Sequence, residues 1–164
     1  MPFARIDLAK GKTSEYRATL ADVVYQGIVD VLKAPDGDRF VVIGEHSPDN
    51  LIYDPHFLGW DRSPDFILIQ VTSTVGNNKE SKLAFFRYIA DELKRKLSVR
   101  PDDAMINMVF VDRSDWSFGN GEPWTYRFVA RHGSTESRPR PSQPDIGGVT
   151  PLPMATRAVW SPGF

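Results

Sequence analysis

The sequence predicts an α+β fold of α/β-like construction, in which two β-α-β repeats form a four-stranded sheet with two helices on one face. Two observations carry this expectation. A strand pattern, a helix pattern and a second strand pattern follow one another twice along the chain. The punctuation matches too: Gly11 to Pro35 spans 24 positions, and Gly76 to Pro101 spans 25.

The first repeat covers about residues 2–45. It opens on a strand, residues 3–8, in which Ala4, Ile6 and Leu8 share one face. Gly11 breaks it. A helix is expected from about Thr13 to Lys33, with Leu20, Val23, Val24, Ile28, Val31 and Leu32 at helical spacing. Pro35-Asp36-Gly37 stops the helix and turns the chain into a second strand, residues 40–43.

The second repeat covers about residues 66–111. Its first strand, residues 66–71, is a continuous apolar run of the kind buried on both faces. After Gly76 a helix is expected from about Lys79 to Leu97, with Leu83, Phe86, Ala90, Leu93 and Leu97 on one stripe. Asp91–Arg95 and Glu92–Lys96 are spaced as i,i+4 ion pairs on its solvated side. The last strand, about residues 105–111, also looks apolar on both sides. With both helices on one sheet face and no third helix in the sequence, the other face needs cover, and a second subunit is the economical one.

Composition bounds the remaining possibilities. The chain has 164 residues, 41% hydrophobic and 25% charged, with a net charge of −1, as an ordinary soluble globular protein does. That balance points away from nucleic acid as a partner. No apolar run approaches the roughly 18 residues of a membrane span, and the N-terminus lacks the apolar core of a secretory signal, so a cytoplasmic location is expected. Cysteine is absent, which excludes disulfides and thiolate chemistry. From residue 129 to 164 the chain turns rich in Pro, Gly and Ser and reads as a flexible tail, leaving a folded unit of about residues 2–128. The Ala155–Trp160 stretch is the one tail segment apolar enough to dock on a neighbour.

Several motifs then converge. Met1-Pro2 opens a strand, and Gly11-Lys12-Thr13 forms the first turn. Pro35 to Phe40 reads PDGDRF, Leu51 to Ser63 reads LIYDPHFLGWDRS, and Asp115 to Glu122 reads DWSFGNGE. Over residues 2 to about 126 the chain resembles the tautomerase superfamily (the 4-oxalocrotonate tautomerase-like fold), within it the malonate semialdehyde decarboxylase-like branch. The resemblance implies a homotrimer with active sites near subunit boundaries, no cofactor and no metal. It implies that Met1 is removed and that Pro2 becomes a catalytic N-terminal secondary amine. A free α-amino group titrates near ~8, and an apolar pocket lowers that value. Such an amine can take a proton α to a carbonyl and return it, as general acid–base catalysis requires.

By the same resemblance Asp38 accompanies the proline, to tune the amine or polarise a water, and Trp116 and Phe118 wall the pocket. Asp is also favoured at a helix-to-strand turn, and large aromatics serve equally as packing. The branch carries two arginines around the turn after its third strand, where they grip the substrate carboxylate. Here the turn reads Thr72 to Asn78, TSTVGNN, with no arginine. Thr74, Asn77 and the backbone N–H groups opening the helix remain as neutral anion or carbonyl binders. Arg39 is the candidate substrate-binding cation, with Lys12 and Arg62 as further basic residues that fit surface or intersubunit roles. His46, His56 and His132 have no metal-ligand spacing. Gly119-Asn120-Gly121 is a hairpin turn signal, and Tyr53 reads as a half-buried loop aromatic.

Three functions follow from these expectations. The first is tautomerisation of a small oxo acid or enol by Pro2. The second is decarboxylation or hydration of a small oxo acid, and the third a non-catalytic trimer that has lost its carboxylate grip.

Overall fold

The computed structural model describes residues 1–124. The expected tail from residue 129, with its Ala155–Trp160 stretch and His132, lies outside them. Strands β1 (Phe3–Ala9), β2 (Val41–His46), β3 (Ile67–Ser73) and β4 (Ala104–Phe110) form one sheet in the order β2-β1-β3-β4. Each repeat pairs its own strands in parallel, β1 with β2 and β3 with β4. The repeats join antiparallel, β1 against β3, with Phe3 opposite Thr72 and Leu8 opposite Ile67. Helices α1 (Ser14–Asp30) and α2 (Lys79–Leu97) cross over between the parallel strands.

The caps explain where the helices begin. Thr13 accepts a hydrogen bond from the Tyr16 N–H at 3.1 Å, and Asn78 accepts one from Ser81 at 2.8 Å. Helix α1 stops at Asp30, three residues short of the expected Lys33: the Leu32 N–H reaches back five residues to the Gly27 carbonyl, and Lys33 turns left-handed at φ 60°. Helix α2 ends as expected, on Ser98 in the left-handed region at φ 55°. The core lies between the helices and one sheet face. Ala4, Ile6 and Leu8 meet Leu20, Val23, Val24 and Ile28 there, with Ile67, Ile69 and Val71 from β3.

Three expectations need correction. The inward stripe of α2 is Phe85, Ile89 and Leu93, while Leu83 is exposed and Phe86 and Ala90 are only half-buried. Packing against Gly27 of α1 sets this rotation: a Cβ there would stand 3.0 Å from the Phe85 ring and 2.9 Å from Tyr88. Asp91 does not hold Arg95; Glu92 takes both Arg95, at 2.6 Å, and Lys96, at 3.3 Å. Finally, the sheet's second face is not continuously apolar. One row across it reads Val42, Arg5, Gln70, Asn107 and the next Gly44, Asp7, Leu68, Met105.

Candidate active site

The antiparallel joining of the repeats decides what meets at one end of the sheet. It brings the start of β1 beside the end of β3, and the parallel pairs add the start of β2 and the end of β4. Hydrogen bonds close this edge: Ala4 N–H to the Phe40 carbonyl at 2.9 Å, and Val111 N–H to the Ser73 carbonyl at 3.2 Å. The chain's beginning, the Asp38 turn, the Thr74–Asn78 turn and the segment after β4 therefore share one place.

There the Met1 ammonium donates to Thr74 Oγ1 at 3.0 Å. Pro2 is buried one residue further in. Backbone dimensions keep its nitrogen within about 7 Å of that hydroxyl. Burial lowers the ammonium's pKa from its ordinary value near 8.0, the charge of Asp38 pulls it back up, and the charge of Arg113 pushes it down. The neutral amine is thus favoured more than in water, by desolvation first and by a neighbouring cation second.

Beside this amine is an open-mouthed hollow of about 230 Å³ lined by Thr74, Asn77, Phe110, Val111, Asp112 and Asp115. Its turn is rigidly held. The buried Ser73 hydroxyl donates to the Val75 carbonyl at 2.9 Å and accepts from the Val75 N–H at 3.0 Å. Gly76 adopts φ 77°, and a Cβ there would come within 2.7 Å of Leu32. On the opposite wall a short 3-10 turn, Arg113–Asp115, is locked by a reciprocal cap. Asp115 accepts the Asp112 N–H at 2.8 Å, and Asp112 accepts from the Asp115 backbone in return.

Thr74 and Asn77 lie on the cavity wall, and half-buried Asp38 is close enough to act on the N-terminal charge. Arg39 goes elsewhere: its guanidinium pairs with Asp22 and lies 5.2 Å from the centre of the Tyr25 ring, on α1. Trp116 and Phe118 stack at 5.4 Å, and Phe118 meets Trp124 edge-on at 5.6 Å. Within one chain Phe118 lines a separate, smaller hollow with Glu122 and Trp124. Lys12 pairs with Asp65, and Arg62 donates to the Phe57 carbonyl. Tyr53 stacks on Phe66 at 4.3 Å and donates to the Ser63 carbonyl at 2.8 Å, as a loop-packing residue does. Sequence reasoning missed Phe110 and Asp112 to Asp115. Their signal was position alone, at the end of β4 for Phe110 and directly after it for the others. Among the described residues no group of three or more His, Asp or Glu could hold a metal ion, and no helix is long and apolar enough to cross a membrane.

Comparison with known proteins agrees with this geometry. Two family models, each described as tautomerase enzyme, match residues 2–59 and 38–119. The probable tautomerase YusQ of Bacillus subtilis is 32% identical over 121 residues, which is 74% of this chain and 95% of that one. A malonate semialdehyde decarboxylase crystal structure superposes with a TM-score of 0.68 at 29% identity, over 73% of this chain and 92% of that one. A fused 4-OT symmetric trimer shares the fold, with a TM-score of 0.61 at 16% identity, over 75% and 96%. The chain belongs to the tautomerase superfamily, with malonate semialdehyde decarboxylase among its relatives.

Proposed function

We propose that this protein is a cofactor-independent tautomerase that interconverts the keto and enol forms of a small oxo acid, with the Pro2 nitrogen as general acid and base once Met1 is cleaved. The observation that carries this reading is the Met1 ammonium lying on Thr74 at the wall of the 230 Å³ hollow. Cleavage of Met1 frees a secondary amine and vacates the space beside that hydroxyl. The neutral nitrogen takes the enol O–H proton, and the resulting ammonium delivers a proton to the β-carbon, leaving a ketone and a neutral amine. Charge building on the oxygen meets the Thr74 hydroxyl, the Asn77 amide and the N-terminal end of α2, donors of the kind that stabilise an oxyanion. Asp38 sets how readily the amine holds its proton.

The test is phenylenolpyruvate ketonisation by mature protein and by Pro2→Ala. A positioned general acid–base group contributes about 10²–10⁴-fold, so the variant loses at least about a hundredfold in kcat/KM. Equal rates remove Pro2 from the chemistry.

The decarboxylase or hydratase reading has support from the malonate semialdehyde decarboxylase likeness, a protein described with both activities. The same amine and hollow serve it, and release of carbon dioxide from a 3-oxo acid separates it from tautomerisation. We also propose a homotrimer. The fused 4-OT relative is a trimer, and the helix-free sheet face here leaves Val42 and Met105 exposed.

A further inference from the structure

An oxo acid brings a carboxylate, and the turn that meets the amine offers only neutral groups, Thr74 and Asn77. Two cations outside its lining stand next to wall residues, Lys82 in space and Arg113 along the chain. Lys82, on the second turn of α2, holds its ammonium 4.6 Å from the centre of the Phe110 ring, and Phe110 is a cavity wall. Arg113 lies in the chain between Asp112 and Asp115, both wall residues; its guanidinium rests 5.2 Å from the centre of the Trp124 ring, a wall of the smaller hollow, so reaching the larger one takes a turn of the side chain. Neither forms an ion pair among the described residues; Lys10, Lys33, Arg62, Lys79, Arg87 and Lys94 form none either, so it is the position of Lys82 and Arg113 that singles them out. Asp112 and Asp115, its neighbours in the chain, accept each other's backbone N–H groups and form no salt bridge with Arg113. An aromatic face holds a cation weakly, without neutralising it, and so leaves it available to an incoming anion.

We infer that Lys82 and Arg113 form a two-sided grip for the substrate carboxylate, one from α2 and one from the turn after β4. This rests on the oxo-acid reading of the cavity and supplies the specificity that reading lacks. The planar guanidinium offers two parallel donors to a carboxylate and the ammonium a compact charge. Asp112 and Asp115 make the wall acidic, so an anion enters only if both cations engage it. The charge of Arg113 also reaches the N-terminal amine, so this residue links substrate binding to the amine's proton affinity.

The experiment compares binding of 2-oxobutyrate and its methyl ester to mature full-length protein by calorimetry, in wild type, Lys82→Gln, Arg113→Gln and Arg113→Lys. Wild type binds the acid more tightly than the ester. Each glutamine variant weakens the acid about tenfold or more and leaves the ester unchanged, and Arg113→Lys recovers part of the loss. Unchanged thermal unfolding of these variants shows that folding is intact. A wild type that does not prefer the acid, or variants that weaken acid and ester equally, overturns the grip. Turnover separates the two readings: loss of rate in Pro2→Ala with unaltered acid binding in both glutamine variants sinks the grip alone. Full rate in Pro2→Ala with weakened acid binding in those variants sinks the proline mechanism alone.

Discussion

A single nitrogen concentrates the chemistry, and its surroundings set the sign of each effect on it. At the Met1 ammonium, which holds this place before cleavage, burial favours the neutral amine, Arg113 adds to that, and Asp38 opposes it. Because an amine is charged when protonated, a lowered value means more base at neutral pH. Between that value and 8.0 the unfolded chain binds more protons, so stability rises with pH across this window. Removing Asp38 removes the one upward pull. Asp38→Asn is therefore expected to move the amine's midpoint further down, read from a nitrogen-15 titration of the N-terminal residue; a midpoint that stays put would leave Asp38 as a turn residue only. Pro2, Asp38, Thr74 and Asn77 could be named as candidates from the sequence because each lies in a motif or a turn. Arg39 led elsewhere, since a neighbour in sequence, one residue from Asp38, points its side chain to α1 and Asp22.

At the scale of elements, the β3–α2 turn is the part whose shape the site needs most. Ser73 pins it from below, Asn78 starts the helix, and Gly76 supplies a left-handed φ of 77° against Leu32. A side chain at Gly76 meets both backbone strain, roughly 1–2 kcal/mol, and contact with Leu32. Gly76→Ala is thus expected to destabilise the protein by about 1–3 kcal/mol in denaturant unfolding, and to raise KM by displacing Thr74 and Asn77. An unaltered unfolding midpoint would show the turn to be more yielding than drawn here. The helices and strands themselves were readable from periodicity, with boundaries shifted by up to three residues. The rotation of α2 was not, because its apolar residues outnumber one stripe, and only the close approach to Gly27 selects Phe85, Ile89 and Leu93. The buried Asp103 was also hidden in a stop signal; it accepts the Ser63 N–H at 2.6 Å and hydroxyl at 2.8 Å, tying the long loop to the start of β4.

For the whole molecule, the decisive feature is the antiparallel join of two parallel repeats. Internal spacing revealed the repeats, yet no local signal states how β1 and β3 run relative to one another; that follows from long-range pairing. The same join builds the helix-free face, on which Asp7 pairs with Arg5 at 2.9 Å and with His46 at 2.6 Å amid Val42, Leu68 and Met105. Burial raises the Asp7 pKa and its hydrogen bonds to Arg5 and His46 outweigh that, leaving it below the ordinary carboxylate value. A face of satisfied polar groups set among exposed apolar ones suits burial against other copies. Met105→Asp, which puts an unpaired charge there, is expected to shift sedimentation from a three-chain mass toward one chain. A wild type already sedimenting as one chain contradicts the proposed trimer.

The nitrogen-15 titration of Pro2 in mature wild-type protein tests the central claim most directly. The expected result is one titrating N-terminal nitrogen with a midpoint below the ~8 of a free α-amino group. A nitrogen that does not titrate because Met1 still blocks it, or one with a midpoint at or above that value, contradicts the mechanism.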